Sequence, residues 1–215
     1  KHHVKIISKQ EFWDALPDVM YHMDEPLADA SAVALYFLSK EAAGHVKVVL
    51  SGEGADELFG GYNIYREPES LKKIAWIPFG VRRVIGKLAA KLPDVKGRDF
   101  LIRAGMKVEE RFIGNAYIYR EKEKAQILKN KVTGPSTQEY LRPFFKELES
   151  ENRGSLRDME KMQSVDLRYW LPGDILQKAD KMSMAHSLEV RVPFLDKEVF
   201  DFAAKLPKEA KIAAG

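Results

Sequence analysis

The chain has 215 residues, of which 45% are hydrophobic and 31% charged, and its formal net charge is +3. This mixture is typical of a globular protein and excludes a fibre or a wholly disordered chain. The sequence contains no apolar run that could span a bilayer, no secretory signal and no cysteine, so it predicts neither membrane contact nor disulfide chemistry. We therefore expect a protein of a reducing, cytoplasmic compartment.

Charge is unevenly distributed along the chain. Between Glu11 and Ser70 there are three basic and twelve acidic residues, whereas between Leu71 and Lys107 there are ten basic and two acidic ones. This asymmetry indicates either a cation site beside an anion-binding surface or two solvated faces of opposite charge. The aromatic residues of the basic segment are typical of core anchors rather than stacking platforms, so the sequence does not favour a nucleic-acid partner.

The first third of the chain predicts alternating strands and helices. Val4–Ile7 is rich in β-branched residues, and a capping box from Ser8 to Glu11 predicts a helix directly after it. A second helix is predicted from about Ala32 to Ala43. The apolar run Val46–Leu50 is typical of an interior strand of a parallel sheet. Helices that alternate with strands indicate an α/β layer.

Beyond residue 60 the pattern favours helices and predicts no further strand of the sheet. The helical segments lie near 68–92, 98–107, 109–129, 136–148, 155–171, 174–186 and 196–205. We expect residues 1–66 to form the end of a parallel sheet layer and residues 67–215 to form the helical part of the same single domain. Because a parallel sheet needs more neighbours, we also expect part of it to lie outside this chain.

The loop directly after the apolar strand carries the most informative residues. It runs from Ser51 to Glu57, at a strand end where α/β sheets bind their ligands. Gly52 and Gly54 allow the backbone to approach a ligand closely, and backbone N–H groups there can hold an anion or a nucleotide.

Three carboxylates of this loop lie within a stretch of five residues, on Glu53, Asp56 and Glu57. Like charges this close repel one another unless cations or basic side chains compensate them, and Mg²⁺ that bridges phosphates is one natural compensation. The same acids would also suit the first turn of a helix that follows the strand. The pattern alone leaves both interpretations open.

Two lysines share one face of a later predicted helix. Lys178 and Lys181 are three residues apart, and Asp174 lies four residues before Lys178. Two ammonium groups beside leaving phosphates would stabilise the developing charge. The alternative is a pair of solvated lysines bridged to Asp174 and Asp180.

Two further groups of polar residues have a structural interpretation. Glu189 and Arg191 alternate with valines in an extended segment, so both point to one side, and we expect Arg191 to pair with Glu189 or with a carboxylate of the 53–57 loop. His2 and His3 suggest a metal site, but adjacent residues of a strand point to opposite faces. We therefore expect them to begin a strand.

Four stretches of the chain together resemble the synthetase domain of the glutamine-hydrolysing asparagine synthetases. They occur in the family's order and span nearly the whole chain: DEPLADASA at 24–32, VLSGEGADELFGGY at 49–62, LPGDILQKADKMSMA at 171–185 and SLEVRVPFLD at 187–196. The resemblance implies an α/β fold of the adenine nucleotide alpha-hydrolase type, a PP-loop ATP pyrophosphatase, truncated at both ends and mostly helical after residue 60.

The resemblance also implies a reaction. ATP, accompanied by Mg²⁺, would adenylate the side-chain carboxylate of aspartate and release pyrophosphate. Ammonia would then attack the acyl-adenylate to give asparagine and AMP. The ammonia would come from glutamine through an amino-terminal glutaminase domain, which is the implied partner, and two copies of the enzyme could form a homodimer.

Roles for individual residues follow from the matching positions. Glu53, Lys181 and Lys178 would be the catalytic residues. The resemblance further implies nucleotide contacts, for ATP or AMP, at Ser51, Gly52 and Gly54, and Mg²⁺ ligands at Asp56 and Glu57. The sequence contains neither the family's Ser-Gly-Gly-x-Asp-Ser pyrophosphate loop nor its amino-terminal Cys nucleophile, so we expect a segment of a larger enzyme that is inactive alone.

Two other functions remain open. One is a relative of the same fold that activates a different carboxylate, as a cyclase or another amide ligase would. The other is a non-catalytic helical module that binds a partner through its acidic 11–70 face. The carboxylates of residues 53–57 lying beside Lys178 and Lys181 would count against the module, whereas opposite locations would favour it.

Overall fold

The computed structural model describes residues 1–27, 29–115, 119, 121–130, 134–152 and 154–212. In chain order, its helices and strands are α1 (Lys9–Met23), α2 (Ser31–Ala43), β1 (Val48–Leu50), α3 (Ala55–Phe59), α4 (Glu67–Lys72), α5 (Phe79–Ala89), α6 (Arg98–Ala104), α7 (Val108–Arg111), α8 (Glu121–Ile127), α9 (Thr137–Glu151), α10 (Asp158–Val165), α11 (Gln177–Met184), β2 (Glu189–Arg191), α12 (Lys197–Lys205) and α13 (Lys208–Lys211). A π-type helix (Asp166–Leu176) precedes α11, and short 3₁₀ helices cover Asn63–Arg66 and Pro193–Leu195.

The chain forms two compact units. The first combines Lys1–Phe59 with Leu167–Gly215, and the second is Gly60–Asp166. The return of the carboxy-terminal residues to the first unit is not predicted by the sequence patterns. Within the described ranges, no helix has both the length and the apolar character that a bilayer crossing requires.

A small parallel sheet organises the first unit. In the part of the chain that the structure describes, it consists of β1 and β2, paired with Val49 opposite Val190. The ladder continues beyond the strands, because the backbone N–H of Ser51 donates to the carbonyl oxygen of Arg191 at 2.9 Å. The loop after β1 is therefore tied directly to β2. The mostly helical chain with a small parallel sheet is consistent with the predicted α/β class.

The structure corrects two strand predictions. Val4–Ile7 forms no strand, and Val4 and Ile6 remain 69% and 83% exposed, since no other strand pairs with them. Conversely, β2 is a strand beyond residue 60, where none was predicted. The alternation of Glu189 and Arg191 with valines predicts an extended segment there, and pairing with β1 makes it a strand of the sheet.

Three helices enclose the apolar core of this unit. α1 and α2 pack against α11, and the core contains Ala15, Val19, Met23, Ala32, Val33 and Met182. The predicted capping box starts α1: the Ser8 hydroxyl accepts from the Glu11 N–H at 3.2 Å, and a Glu11 carboxylate oxygen accepts from the Ser8 N–H at 2.8 Å. This packing fixes α11 against the connection between α1 and α2.

The second unit contains a buried polar network among its helices. The Tyr65 hydroxyl donates to Asp166 at 2.6 Å, and the Asn115 backbone and side-chain N–H groups donate to the same carboxylate at 3.1 and 2.8 Å. Both Tyr65 and Asp166 are fully buried. Such a satisfied network selects one packing arrangement, since each group would be costly to bury alone.

Two of the predicted helices are interrupted. The segment 68–92 divides into α4 and α5, because Pro78 precedes α5 with extended backbone. The segment 109–129 divides into α7 and α8, and residues 112–115 between them are not helical. Residues 116–118 and 120 of this prediction lie outside the described residues.

Gly54 determines the conformation of the loop after β1. Its φ is +88°, a left-handed conformation that side chains rarely adopt, and a Cβ at this position would lie 2.2 Å from Cδ2 of Leu195. Gly52 differs, because a Cβ there would meet nothing within 4 Å. The loop is therefore packed tightly at Gly54 and open at Gly52.

We expect Gly54→Ala to lower the free energy of unfolding by roughly 2–4 kcal/mol, because it adds both backbone strain and overpacking against Leu195. Urea unfolding followed by circular dichroism measures the change. Gly52→Ala is the matched control and should leave stability within about 0.5 kcal/mol. Equal stabilities for the two variants would contradict this account of the loop.

Candidate active site

The first unit brings four separate segments of the sequence together. They are the loop after β1, the connection between α1 and α2, the end of the π-type helix with α11, and the segment after β2. Parallel pairing of the strands and helix packing at the core position all four. Most of the predicted site residues lie on the first and third of these segments.

Lys178 is the buried centre of the charged groups. Its side chain is 7% exposed, and its ammonium group donates to a carboxylate oxygen of Asp29 and, at 3.4 Å, to Oδ2 of Asp174. Asp29 also accepts from the Ser31 N–H at 2.8 Å, a bond at the start of α2. One ammonium group is thus shared by two carboxylates from distant parts of the sequence.

The two carboxylates differ in how readily they ionise. Burial raises the pKa of Asp174 above its ordinary value, and the nearby charge of Lys178 only partly opposes this. Burial acts in the same direction on Asp29, but hydrogen bonds from Lys178 and Ser31 outweigh it and lower the pKa of Asp29. The pKa of Asp29 is therefore lower than that of Asp174, and Asp29 remains ionised to lower pH.

Lys181 occupies a more exposed position on α11. Its side chain is 36% exposed, and it pairs with Asp24, whose side chain is 71% exposed. The hydrogen bond between them lowers the pKa of Asp24 and raises the pKa of Lys181. Asp24 ends α1 with a left-handed φ of 63°. Exposed pairs of this kind contribute little to stability, so Lys181 can exchange this partner for another anion at small cost.

Glu53 lies half-buried between the two glycines of the loop. Burial raises the pKa of Glu53, the charge of Lys178 and the Ser51 hydroxyl at 3.4 Å lower it, and the charges of Glu57 and Asp56 raise it again. The net result is a raised pKa. The loop follows β1, and α11 packs against β2, the partner strand of β1, so the loop and α11 belong to the same unit. A carboxyl group in this state is suited to proton transfer closer to neutral pH.

The other predicted nucleotide contacts occupy different environments. Gly52 is exposed and Ser51 half-buried, so their backbone is accessible to a ligand. Gly54 is buried beneath Leu195, and its contribution is the shape of the loop. Ser51 and Gly52 can therefore offer backbone groups to a ligand, whereas Gly54 maintains the conformation of the loop.

Asp56 and Glu57 lie in the first turn of α3, where the helix dipole favours acidic residues. Asp56 is exposed, whereas Glu57 is 1% exposed. The described residues contain one grouping of three ligand side chains close enough for a metal ion, and it involves neither of these acids. Mg²⁺ that also binds phosphates needs only one or two carboxylates, so the magnesium prediction stays a prediction.

Arg191 pairs with Glu189, one of its two predicted partners, with 2.8 Å between Nε and Oε1. Both side chains are exposed, at 65% and 57%, so this pair is a surface feature. The sequence did not predict that Lys178 would pair with Asp29 or Lys181 with Asp24. The only signal for either pairing was that these aspartates belong to a stretch resembling the same family as the lysines.

Comparison with known proteins identifies one family and several relatives. The family model described as asparagine synthase matches residues 1–215. Over 98% of its length the chain is 50% identical to glutamine-hydrolyzing asparagine synthetase 1 of Bacillus subtilis (strain 168), covering 33% of that protein. Over 99% of its length it is 45% identical to a putative glutamine-hydrolyzing asparagine synthetase of Mycobacterium bovis, covering 32%.

A more distant relative is the putative glutamine-hydrolyzing asparagine synthetase 2 of Methanocaldococcus jannaschii. It is 28% identical over 90% of this chain, and the match covers 36% of that protein. The chain therefore spans about a third of the length of the curated relatives it matches. No solved structure gives a significant match.

The raised pKa of Glu53 leads to a prediction about stability. The folded protein binds this proton more tightly than the unfolded chain, so the associated stability is present below the ordinary pKa of 4.5 and is lost as the pH rises through the folded value. At pH 7 the ionised carboxylate is therefore a net cost. Because solvent screens a half-exposed group, we expect Glu53→Gln to raise the free energy of unfolding at pH 7 by no more than about 0.5 kcal/mol, and the gain to disappear below pH 4.

Urea titrations at the two pH values measure this difference. Glu198→Gln on α12 is the matched control, since Glu198 is exposed and its substitution should change stability little at either pH. A Glu53→Gln variant less stable than the unsubstituted protein at pH 7 would show that the carboxylate stabilises the fold.

Proposed function

Because the chain belongs to the asparagine synthase family, we propose that it is a segment of an ATP-dependent amidotransferase that converts aspartate to asparagine. In this reaction ATP adenylates the aspartate side chain, pyrophosphate leaves, and ammonia obtained from glutamine displaces AMP. The observation that carries the proposal is the half-buried Glu53 on a glycine loop at the end of β1, in the same compact unit as Lys178 and Lys181. Since the chain covers about a third of its relatives, the activity belongs to the longer protein.

Ser51 and Gly52 are the proposed contacts of the AMP portion. The open space above Gly52 supports this role, because a nucleotide can approach the backbone there without meeting a side chain. Gly54 serves the same site indirectly by fixing the loop over Leu195. ATP supplies the activated group that turns the aspartate carboxylate into a reactive acyl-adenylate.

Glu53 is proposed to help form and hold the acyl-adenylate and then to act as general base for ammonia. When ammonia bonds to the acyl carbon, it must lose a proton as AMP departs, and a carboxylate within hydrogen-bond reach can accept that proton. The raised pKa of Glu53 supports this role, because a more basic carboxylate holds the proton more readily. The hydroxyl of Ser51, at 3.4 Å, helps to orient the group.

The two lysines have different proposed roles. Lys181, half-exposed and weakly paired, is the better candidate to bind the departing phosphates, since it gives up only a surface ion pair to do so. Lys178, buried between Asp29 and Asp174, is the better candidate to hold the site together and to limit the rise in the pKa of Glu53.

Excess negative charge supports a role for Mg²⁺. Lys178 meets Asp29 and Asp174, and the pKa of Glu53 also responds to the charges of Asp56 and Glu57. A phosphate group would be repelled by these acids unless a divalent cation accompanied it. The exposed Asp56 is the more accessible of the two proposed ligands, whereas Glu57 is buried.

The proposal also requires groups outside this sequence. The Ser-Gly-Gly-x-Asp-Ser loop that would bind pyrophosphate does not occur in it, and a glutaminase domain is needed if glutamine is the nitrogen donor. We propose that the longer protein supplies both, within a PP-loop domain to which residues 1–215 contribute, and that it works in the cytoplasm. A homodimer of that protein stays part of the proposal.

Neither alternative function has a specific observation in its favour. The relatives above all carry the name asparagine synthetase, two of them as putative, and none of the residues that the structure describes indicates another carboxylate substrate. Lys178 and the loop that carries Glu53 lie in the same compact unit, whereas opposite locations of the loop acids and the lysines would have favoured the non-catalytic module.

In the longer protein, we expect Glu53→Ala to reduce aspartate-dependent release of pyrophosphate from ATP by about 10²-fold or more, because Glu53 is proposed to help form the acyl-adenylate in the step that releases pyrophosphate. A coupled pyrophosphate assay at saturating ATP and ammonia measures it. Glu198→Ala is the control and should retain full release. Unchanged release by Glu53→Ala would refute the role of Glu53, and release with a different carboxylate but not with aspartate would favour the alternative ligase.

For residues 1–215 alone, we expect Mg-ATP to bind weakly or not at all, because the phosphate loop of the family is not encoded in them. Isothermal titration calorimetry of the isolated chain measures this, with the longer protein as the positive control. Tight binding by the isolated chain would show that the residues described above hold the nucleotide without that loop.

A further inference from the structure

A second cluster of ligand-type side chains lies in the first unit and shares no residue with the candidate active site. His3, Glu41 and His45 each offer one ligand atom, and these three atoms lie within 4.8 Å of one another. Nδ1 of His3 is 3.8 Å from Oε1 of Glu41, and Nε2 of His45 is 3.3 Å from the same oxygen. Two imidazoles and one carboxylate are a common set of ligands for zinc in proteins.

Two of the three distances between ligand atoms in this cluster are close to those that a metal ion imposes, and the third, between the two imidazole nitrogens, is below 4.8 Å. Ligand atoms about 2.0–2.1 Å from a tetrahedral zinc ion lie about 3.3 Å from each other. Oε1 of Glu41 and Nε2 of His45 already lie at this separation. The distance from Oε1 of Glu41 to Nδ1 of His3 must shorten by about half an ångström, which a side-chain rotation on an exposed surface supplies.

The local fold positions two of the three ligands. Glu41 lies in the last turn of α2, and His45 follows one helical turn later, so the two side chains project from the same face. The backbone N–H of His45 donates to Ala42 at 2.9 Å, which holds this residue at the helix end. The imidazole rings of His3 and His45 have centroids 4.3 Å apart, which brings the amino-terminal segment to the same place.

We propose that His3, Glu41 and His45 form a surface binding site for a divalent late first-row transition metal, zinc in the first instance. The ligand atoms are Nδ1 of His3, Nε2 of His45 and a carboxylate oxygen of Glu41, with water completing the tetrahedron. Imidazole nitrogen selects zinc and its neighbours over magnesium, which takes oxygen ligands. The metal fastens residues 1–8, which form neither helix nor strand, to the end of α2.

This site differs from the sequence-based expectation for the same region. His2 and His3 were predicted to begin a strand, but no strand forms there, and His3 instead lies beside a helix end. The spacing of Glu41 and His45 is readable from the sequence, whereas the approach of His3, 38 residues before Glu41, is a tertiary feature.

Calorimetric titration of the full chain with Zn²⁺ tests the proposal. The amino-terminal amine is blocked so that it cannot act as a ligand. We expect one equivalent to bind, His3→Ala and His45→Ala each to weaken binding at least tenfold, and Glu41→Gln to weaken it as well. His2→Ala and His22→Ala are the matched controls and should bind as the unsubstituted chain does. Mg²⁺ should not compete.

A thermal readout provides the second measurement. At zinc concentrations of about one hundred times Kd, Tm should rise by roughly 5–10 °C in the unsubstituted chain and in the His2→Ala variant, but not in His3→Ala. The substituted side chains lie at the surface, so circular dichroism should show that each variant folds normally.

Three results would overturn the site. They are the absence of zinc binding, equal weakening by His2→Ala and His3→Ala, and binding that persists unchanged in denaturing urea. The second and third would show that a flexible histidine-rich arm chelates the metal without the fold. None of these outcomes bears on pyrophosphate release, so this inference and the proposed function fail or succeed independently.

Discussion

A single buried ammonium group organises the charged part of the first unit. Lys178 is almost completely excluded from solvent, and it is held by Asp29 from the connection between α1 and α2 and by Asp174 one turn before it. Removing it would leave two carboxylates close together with no compensating charge, which is among the costliest changes in a protein interior. The connection that leads into α2 and the start of α11 are therefore coupled through this one side chain.

The glycine loop depends on a different constraint, which is steric. Gly54 lies against Leu195 at a distance that admits no Cβ, and the N–H of Ser51 continues the ladder into β2. The two strands are thus connected by hydrogen bonds and also by the packing of the loop after β1 on the segment after β2. A loop fixed in this way can leave Gly52 open and Glu53 half-buried without collapsing onto itself.

These constraints set stability against function. Burial beside Asp56 and Glu57 makes the ionised Glu53 unfavourable, and the nearby charge of Lys178 only partly compensates for it. Proteins commonly retain such costs where a group must exchange protons, because a carboxyl group in water is too weak a base at neutral pH. The ion pair between Lys181 and Asp24 also adds little stability, because both side chains are exposed to solvent.

The sequence by itself determined the elements with strong local signals. The capping box of Ser8 and Glu11, the apolar strand before the loop, and the helical spacing of Asp174 and Lys178 all depend on neighbours within a few residues. For Arg191 the sequence left two partners open, and the structure pairs it with Glu189. The resemblance of four stretches to one family was equally readable, and the family match over the whole chain confirms it.

Only the tertiary structure decided which distant residues meet. Asp29 and Lys178 are 149 residues apart, Asp24 and Lys181 are 157 apart, and β1 pairs with a segment that the local pattern marked as extended but not as a strand of this sheet. The difference in burial between the two lysines also arises here, since burial and partner number are properties of packing. Local sequence encodes hydrogen bonds and apolar faces within one element, whereas long-range ion pairs depend on how separate elements pack around a shared core.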